Sequence, residues 1–471
     1  MVEEGLVSQK NNSALFDGSD PLVTEANQVE NGKKKARKNL VVAIIVLFFL
    51  LVLSLLVSKS RLLNFPPIPK LPSPSPEEKP VPTVYFEPSL PPESSFSAEI
   101  AASHNAFGFD LLSRLNREEK NRNIFLSSSS ISLALSMVYN GAAGETREAI
   151  AKVLHLEKFD LMQVNQENAA LTAFLTNPDP KVTLEIANSI WTRLGEEFSS
   201  SFLKTNQDYY QAEVRALDFA LPQAAATING WVNEKTKGKI PTLVQPPLAQ
   251  DLVMYLVNAI YFKGTWTVEF DPKLTGERDF FLADGTLKKQ PLMSQHGDFL
   301  YSENDLSQAV YLPYGEHKQL GMYVFLPKGK LEDFVAELTL ANWQEWLDGF
   351  REKEGTVLLP KFKLEYEKEL RSFLADLGMQ IAFSSQADFS LMRPPSQPAE
   401  LAISEVLHKT YIDVNEVGTE AAAVTGIGIR STGIDSDIFY LEVNRPFFLA
   451  IVDRGSGEIL FMGLIWEPVK A

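Results

Sequence analysis

Leu40 through Val57 is an apolar run broken only by Ser54, and it limits what the residues on either side of it can build. At about 1.5 Å per residue such a run approaches the hydrocarbon thickness of a bilayer, so residues 40–57 are expected to form a transmembrane helix. Lys33, Lys34, Lys35, Arg37 and Lys38 precede it, against only Lys59 and Arg61 just after. The positive-inside rule then places residues 1–39, polar, Asn-rich and expected to be disordered, in the cytoplasm. The rest of the chain faces outward, anchored on the periplasmic or extracellular side. A cleaved secretory signal is the competing reading, but the polar leader is long for one, and Leu55-Leu56-Val57-Ser58-Lys59-Ser60 lacks a small-x-small cleavage site. From Pro66 to Pro92 eleven prolines alternate with Ser, Glu, Lys and Val. That composition cannot bury a core, so residues 58–95 read as an extended spacer reaching up to roughly 80 Å at about 3.1 Å per residue. Pro69-Lys70-Leu71-Pro72 fits a proline-recognition ligand only loosely, a match common in such linkers. A folded domain has to come from residues 96–471.

One large domain fits that length better than several small ones. The net charge of −16, with no basic face in the body of the chain, argues against a nucleic-acid partner, because phosphate binding needs clustered Lys and Arg. The absence of cysteine excludes disulfides, thiolate zinc sites and a cysteine nucleophile. His104, His155, His296, His317 and His408 are scattered, with no pair at metal-ligand spacing. No Gly-x-Ser-x-Gly elbow, His-Glu-x-x-His helix or phosphate-binding glycine loop is present. No metal, cofactor or catalytic residue is expected, and the chain does not read as an enzyme.

Apolar residues recur at helical spacing in Phe96–Arg117, and helical patterns follow at Ser130–Asn140, Glu145–Leu154, Phe159–Leu175, Ser200–Tyr210 and Pro222–Thr236. Strand signals come at Val182–Thr192, Leu252–Phe262, Met322–Leu326, Thr356–Leu364, Ile403–Glu416, Phe439–Val443, Phe447–Val452 and Ile459–Leu464. Helices early and antiparallel-looking strands late indicate an α+β domain without fixed-period repeats.

The segment from Glu416 to Thr425 suits a strand that has to move. From Thr419 the alternate positions Ala421, Ala423, Thr425, Ile427 and Ile429 are uncharged, while Glu420 and Arg430 fall on the opposite face. Gly418 ahead of them offers the permissive backbone of a hinge. An Ala-rich stretch alone is more ordinarily a helix turn or a linker. Its flanks change that weight: Ile403-Ser404-Glu405-Val406-Leu407-His408 upstream, then Asn444-Arg445-Pro446-Phe447-Phe448 and Leu460-Phe461-Met462-Gly463 downstream. Together these resemble the C-terminal signature of the serpins. Asn123-Ile124-Phe125-Leu126-Ser127-Ser128-Ser129-Ser130-Ile131 is similar to another family block, with Ser128 where proline is usual. Asn258-Ala259-Ile260-Tyr261-Phe262-Lys263-Gly264-Thr265-Trp266 and Leu359-Pro360-Lys361-Phe362 resemble strands around the family's central sheet.

The resemblance spans roughly residues 96–471 and implies a serpin fold: a helix-rich N-terminal half packed on a large central β-sheet, further sheets and an exposed reactive loop. It also implies a monomeric inhibitor whose loop is bait for a serine protease. The enzyme acylates itself on the bait, and the cut loop enters the sheet as a new strand, distorting the tethered enzyme. On this resemblance the hinge comprises Glu416, Gly418, Thr419, Glu420, Ala421, Ala422 and Ala423. The scissile bond falls between Thr432 and Gly433, suiting an elastase-like or subtilisin-like enzyme; Arg430–Ser431, suiting a trypsin-like enzyme, is the alternative. Ser127, Ser130, Asn258 and His408 match the shutter at which the sheet parts, and Trp266 the breach under the loop's entry point. Without the resemblance, His408 and Trp266 are ordinary buried side chains. Glu416 is expected to pair with a cation there. A serpin-fold binding or chaperone-like module that never inserts its loop is the competing function.

Overall fold

The computed structural model describes residues 96–176, 179–249, 251–397, 400–419 and 438–470. The tail, the apolar run Leu40–Val57 and the proline-rich spacer lie outside the described residues, as do Glu420 to Ala423, Arg430–Ser431 and Thr432–Gly433. No helix among the described residues is long and apolar enough to cross a membrane.

Six helices fill the first half: α1 (Ala98–Glu118), α2 (Ser128–Tyr139), α3 (Gly144–Val153), α4 (Leu161–Leu175), α5 (Ser200–Tyr210) and α6 (Pro222–Lys235). Their starts follow from local chemistry. The Ser97 hydroxyl accepts the Glu99 N–H, the Ser127 hydroxyl accepts the Ser130 N–H, and Asp160 and Gln163 form a reciprocal capping box. Pro222 opens α6, where its missing N–H costs nothing. The short helices α7 (Leu331–Ala336), α8 (Leu340–Asp348) and α9 (Arg371–Leu374) come later.

The strands are β1 (Ile124–Leu126), β2 (Val182–Arg193), β3 (Glu213–Leu217), β4 (Met254–Thr265), β5 (Gly276–Phe281), β6 (Leu287–Glu303), β7 (Ser307–Pro313), β8 (Leu320–Pro327), β9 (Arg351–Pro360), β10 (Phe362–Glu369), β11 (Leu407–Val414), β12 (Gly418–Thr419), β13 (Phe439–Glu442), β14 (Phe447–Asp453) and β15 (Ile459–Ile465). Nine of them form one sheet in the order β1-β15-β14-β8-β7-β6-β9-β13, with β5 also paired to β6. The other six run β10-β11-β12-β4-β2-β3. Most pairs are antiparallel, but β13 runs parallel to β9 and β3 parallel to β2. The domain is therefore α+β with mixed sheets.

Helix α2 is wedged between the sheets, against β4 on one side and β15 on the other, and joins the main apolar core. Helix α6 covers the opposite face of the six-stranded sheet over a second core that includes Trp191, Ile228, Trp231 and Val257. Both faces of that sheet are thus occupied.

Two expected strands differ from those observed. Thr356–Leu364 is two strands in different sheets, β9 ending at Pro360 and β10 starting at Phe362. Proline has no N–H to donate, and the Lys361 N–H makes a last bond to β6, at the Pro291 carbonyl, before the chain crosses to pair with β11 from Phe362. The strand expected at Ile403–Glu416 is shorter, because its ladder to β10 begins only at Leu407 and the chain reverses after Val414.

Candidate functional site

The site grows from the reversal at the end of β11. The Asn415 N–H donates to the Gly418 carbonyl at 3.0 Å, and the Gly418 N–H donates back at 3.2 Å. The Asn415 side chain accepts the Val417 N–H, tightening the turn. The chain leaves it as β12, which pairs antiparallel with both neighbours, Thr419 lying opposite Val414 on β11 and Gly264 on β4. Among the described residues β4 and β11 share no ladder pair of their own. Further down, a cavity of about 310 Å³ lies between them, its walls including Ile131, Leu135, Leu256, Asn258, Ile403 and His408.

Gly418 is demanded by contact rather than by dihedral freedom. Its φ is not in the left-handed region, but a Cβ there would stand 2.1 Å from the Gly264 carbonyl oxygen. Thr419 is buried and its hydroxyl meets the Tyr314 hydroxyl at 2.6 Å. The Tyr314 ring stacks on Trp266 at 4.4 Å between centroids. Trp266 in turn donates its indole N–H to the Asn415 carbonyl and its backbone N–H to the Val417 carbonyl, both at 2.9 Å. The indole thus holds the turn from which the loop departs.

Glu416 is nearly buried, and its expected cation is Lys361, whose Nζ lies 2.8 Å from Oε2. The Thr275 hydroxyl donates to Oε1 at 2.9 Å. Burial pushes this carboxyl up, but hydrogen bonds from Lys361, the backbone and Thr275, with the Lys361 charge, outweigh it and hold the group below its ordinary value. Lys361 lies in Leu359-Pro360-Lys361-Phe362, yet nothing in the sequence joins it to Glu416. It meets Glu416 where the chain passes from β9 to β10.

Ser127, Ser130, Asn258 and His408 do come together, in one hydrogen-bonded chain across the seam. The Ser127 N–H donates to His408 Nε2 at 3.2 Å, and the Ser127 hydroxyl accepts the Ser130 N–H at 3.1 Å. The Ser130 hydroxyl bonds Asn258 Oδ1. Asn258 Nδ2 donates to Asn188 Oδ1 at 2.7 Å, and Asn188 ends the chain on the Tyr210 carbonyl. His408 on β11 is thereby connected, through the N-terminus of α2, to β4 and β2. Its partner is the Ser127 backbone N–H rather than a side chain of the cluster. Accepting that N–H makes Nε2 unprotonated, and burial pushes the imidazole down to about 4, so the ring is neutral at neutral pH. Asn188 was not singled out from the sequence. The only signal was an amide on a strand otherwise able to bury apolar groups.

No group of three or more His, Asp or Glu among the described residues is placed to hold a metal ion. The arrangement is a two-residue strand, β12, between β4 and β11, with a cavity and a chain of polar contacts further down between the same strands.

The profile of the family described as Serpin (serine protease inhibitor) matches residues 102–468. The chain belongs to the serpin family. Among serpin relatives, the leukocyte elastase inhibitor of Bos taurus is 36% identical over 384 residues, covering 79% of this chain and 100% of that protein. The native-state structure of the thermophilic serpin tengpin superposes with a TM-score of 0.73 at 30% identity, covering 80% of this chain and 96% of tengpin. Human thyroxine-binding globulin matches with a TM-score of 0.72 at 28% identity, over 79% of this chain and 99% of that one. The serpin fold expected from the sequence is the fold observed.

Proposed function

We propose that this serpin inhibits a serine protease by trapping it as an acyl complex on its own cleaved loop, and that it is not itself an enzyme. The observation that carries the reading is the seating of Thr419. The first residue of the uncharged face is already a strand residue between β11 and β4, with its side chain buried on Tyr314. Continuing that register brings Thr425 level with Asn258 on one side and His408 on the other. The polar chain at the seam would then have a hydroxyl to exchange with.

In the proposed reaction the protease serine attacks the scissile carbonyl, an ester forms on the residue before the cut, and the new amine leaves with the C-terminal part. Strand entry has to outrun water attack on that ester. Docking about 14 residues forms on the order of 14 to 28 backbone hydrogen bonds at roughly 1 kcal/mol net each, while ordering them costs about 1 to 2 kcal/mol per residue. The balance therefore rests on the inward side chains, and Thr419, Ala421, Ala423, Thr425, Ile427 and Ile429 bring no buried charge. We assign Thr432–Gly433 as the scissile bond for an elastase-like or subtilisin-like enzyme, with Arg430–Ser431 as the trypsin-like alternative. The bovine relative's name supports the first. Leu40–Val57 is assigned as a membrane anchor holding the inhibitor on the outer side.

Thyroxine-binding globulin favours a second reading, since its name describes a binding protein on the same fold. Incubation with elastase, subtilisin and trypsin, followed by denaturing electrophoresis and intact-mass analysis, separates the two. A covalent complex, with the released loop fragment starting at Gly433, supports inhibition. Cleavage without a complex across all three supports the binding module.

A further inference from the structure

We propose that Tyr255 and Glu405 form a clasp across the lower end of the seam, which an incoming strand has to open before it docks fully. This rests on the loop-insertion reading, and it names two residues outside the hinge and the polar chain. The Tyr255 hydroxyl donates to Glu405 Oε2 at 2.8 Å. Burial and the neighbouring carboxylate both push the phenol up from its ordinary value, so it stays a donor.

Each end of that bond belongs to a different half of the sheet. Tyr255 sits on β4 opposite Trp191 of β2, its ring against Phe219 at 6.4 Å. Glu405 lies just before β11 in a segment tied to the other half. The Val406 carbonyl accepts the Leu370 N–H, the Val406 N–H donates to Glu369, and Arg371 donates to the Ser404 carbonyl. The clasp therefore joins the β2–β4 side to the β10–β11 side.

Its place along the seam gives it a defined moment of action. Tyr255 lies roughly 30 Å down β4 from Gly264, at about 3.3 Å per residue. If β12 were continued in register, Gly428 would come level with Tyr255 and Glu405 together, short of both candidate scissile bonds. A half-entered strand does not meet the clasp, whereas one entering to its end does. Helix α2 and the main core lie on one face of the seam, and Tyr255 and Leu407 pack on the other, the α6 side. The clasp bridges that side.

Variants Tyr255→Phe, Glu405→Ala, their double variant and Glu405→Gln in the full chain test this. A synthetic peptide of residues 419–432 is annealed to each uncleaved protein and followed by native electrophoresis, alongside complex formation with the trapped protease. Loss of one exposed hydrogen bond should speed annealing about 3- to 10-fold in Tyr255→Phe and in Glu405→Ala. The double variant should be no faster than either single one, and Glu405→Gln, which keeps a carbonyl acceptor, should stay within about 2-fold of the parent. An unchanged rate in Tyr255→Phe, additive single effects, or no peptide uptake by any variant overturns the clasp. Faster annealing without any covalent complex refutes the trapping reading and leaves the clasp standing. A covalent complex with an unresponsive annealing rate does the reverse.

Discussion

In the nine-stranded sheet every residue of β14 and β15 is buried, and both strands are laddered on each side. In the six-stranded sheet β11 buries only alternate residues and meets β4 through the two residues of β12. Separating β14 from β8 or β15 would strip apolar side chains and backbone groups of partners together, with nothing to replace them. At the β4–β11 seam the polar contacts include hydroxyls, amides, an imidazole and the Glu405 carboxylate, groups an arriving strand can satisfy again. On the proposed reading the first sheet persists and the second accepts an addition.

The largest effect expected from this contrast is in the persistent sheet. Phe448 is fully buried against Phe325, Phe334 and Trp343, so Phe448→Ala should cost about 3–5 kcal/mol of unfolding free energy. Denaturant titration should find the same loss in uncleaved and loop-cleaved protein. A loss confined to one form would break the contrast.

The seam should instead respond to acid. His408 has a folded value of about 4 against 6.5 when exposed, so between those values the unfolded chain binds the extra proton. Stability is therefore intact above about pH 6.5 and falls by up to about 3 kcal/mol as pH drops towards 4. Melting temperatures across that window should decline in the parent and much less in His408→Gln. Glu416 acts in a lower window. Its folded value lies below the ordinary 4.5, so its stabilisation is present above pH 4.5 and lost as pH falls through the folded value. Lys361→Ala should cost about 1–2 kcal/mol at neutral pH, read as a lower denaturant midpoint, and should blunt that lower acid transition.

Much of this architecture could be read from the chain, for identifiable reasons. Helices α1, α2 and α4 start at side-chain caps and α6 at a proline, and the expected bounds of α1 to α6 shift by only a residue or two. β14 and β15 announce themselves as dense apolar runs. The stretch Gly276–Pro313 gave no strand signal, because in β5 and much of β6 the exposed positions hold Glu, Arg, Lys and Asp, and few β-branched residues mark the pattern. Short β1 and β3 were too brief to show a period. At the site, Ser127, Ser130, Asn258, His408 and Trp266 were found through motif resemblance, not through their chemistry. The roles of Lys361, Tyr314, Asn188 and the Tyr255–Glu405 contact have no signal in the sequence. Each depends on strands distant in sequence lying side by side, which spacing along the chain does not encode.

The central claim is that the six-stranded sheet takes up its own severed loop. Differential scanning calorimetry of the full chain before and after a single cut in the loop measures this directly. Insertion predicts a clearly higher unfolding temperature for the cut protein, with the loop segment from Thr419 onward newly protected from hydrogen exchange. An unfolding temperature unchanged or lowered by the cut would contradict it.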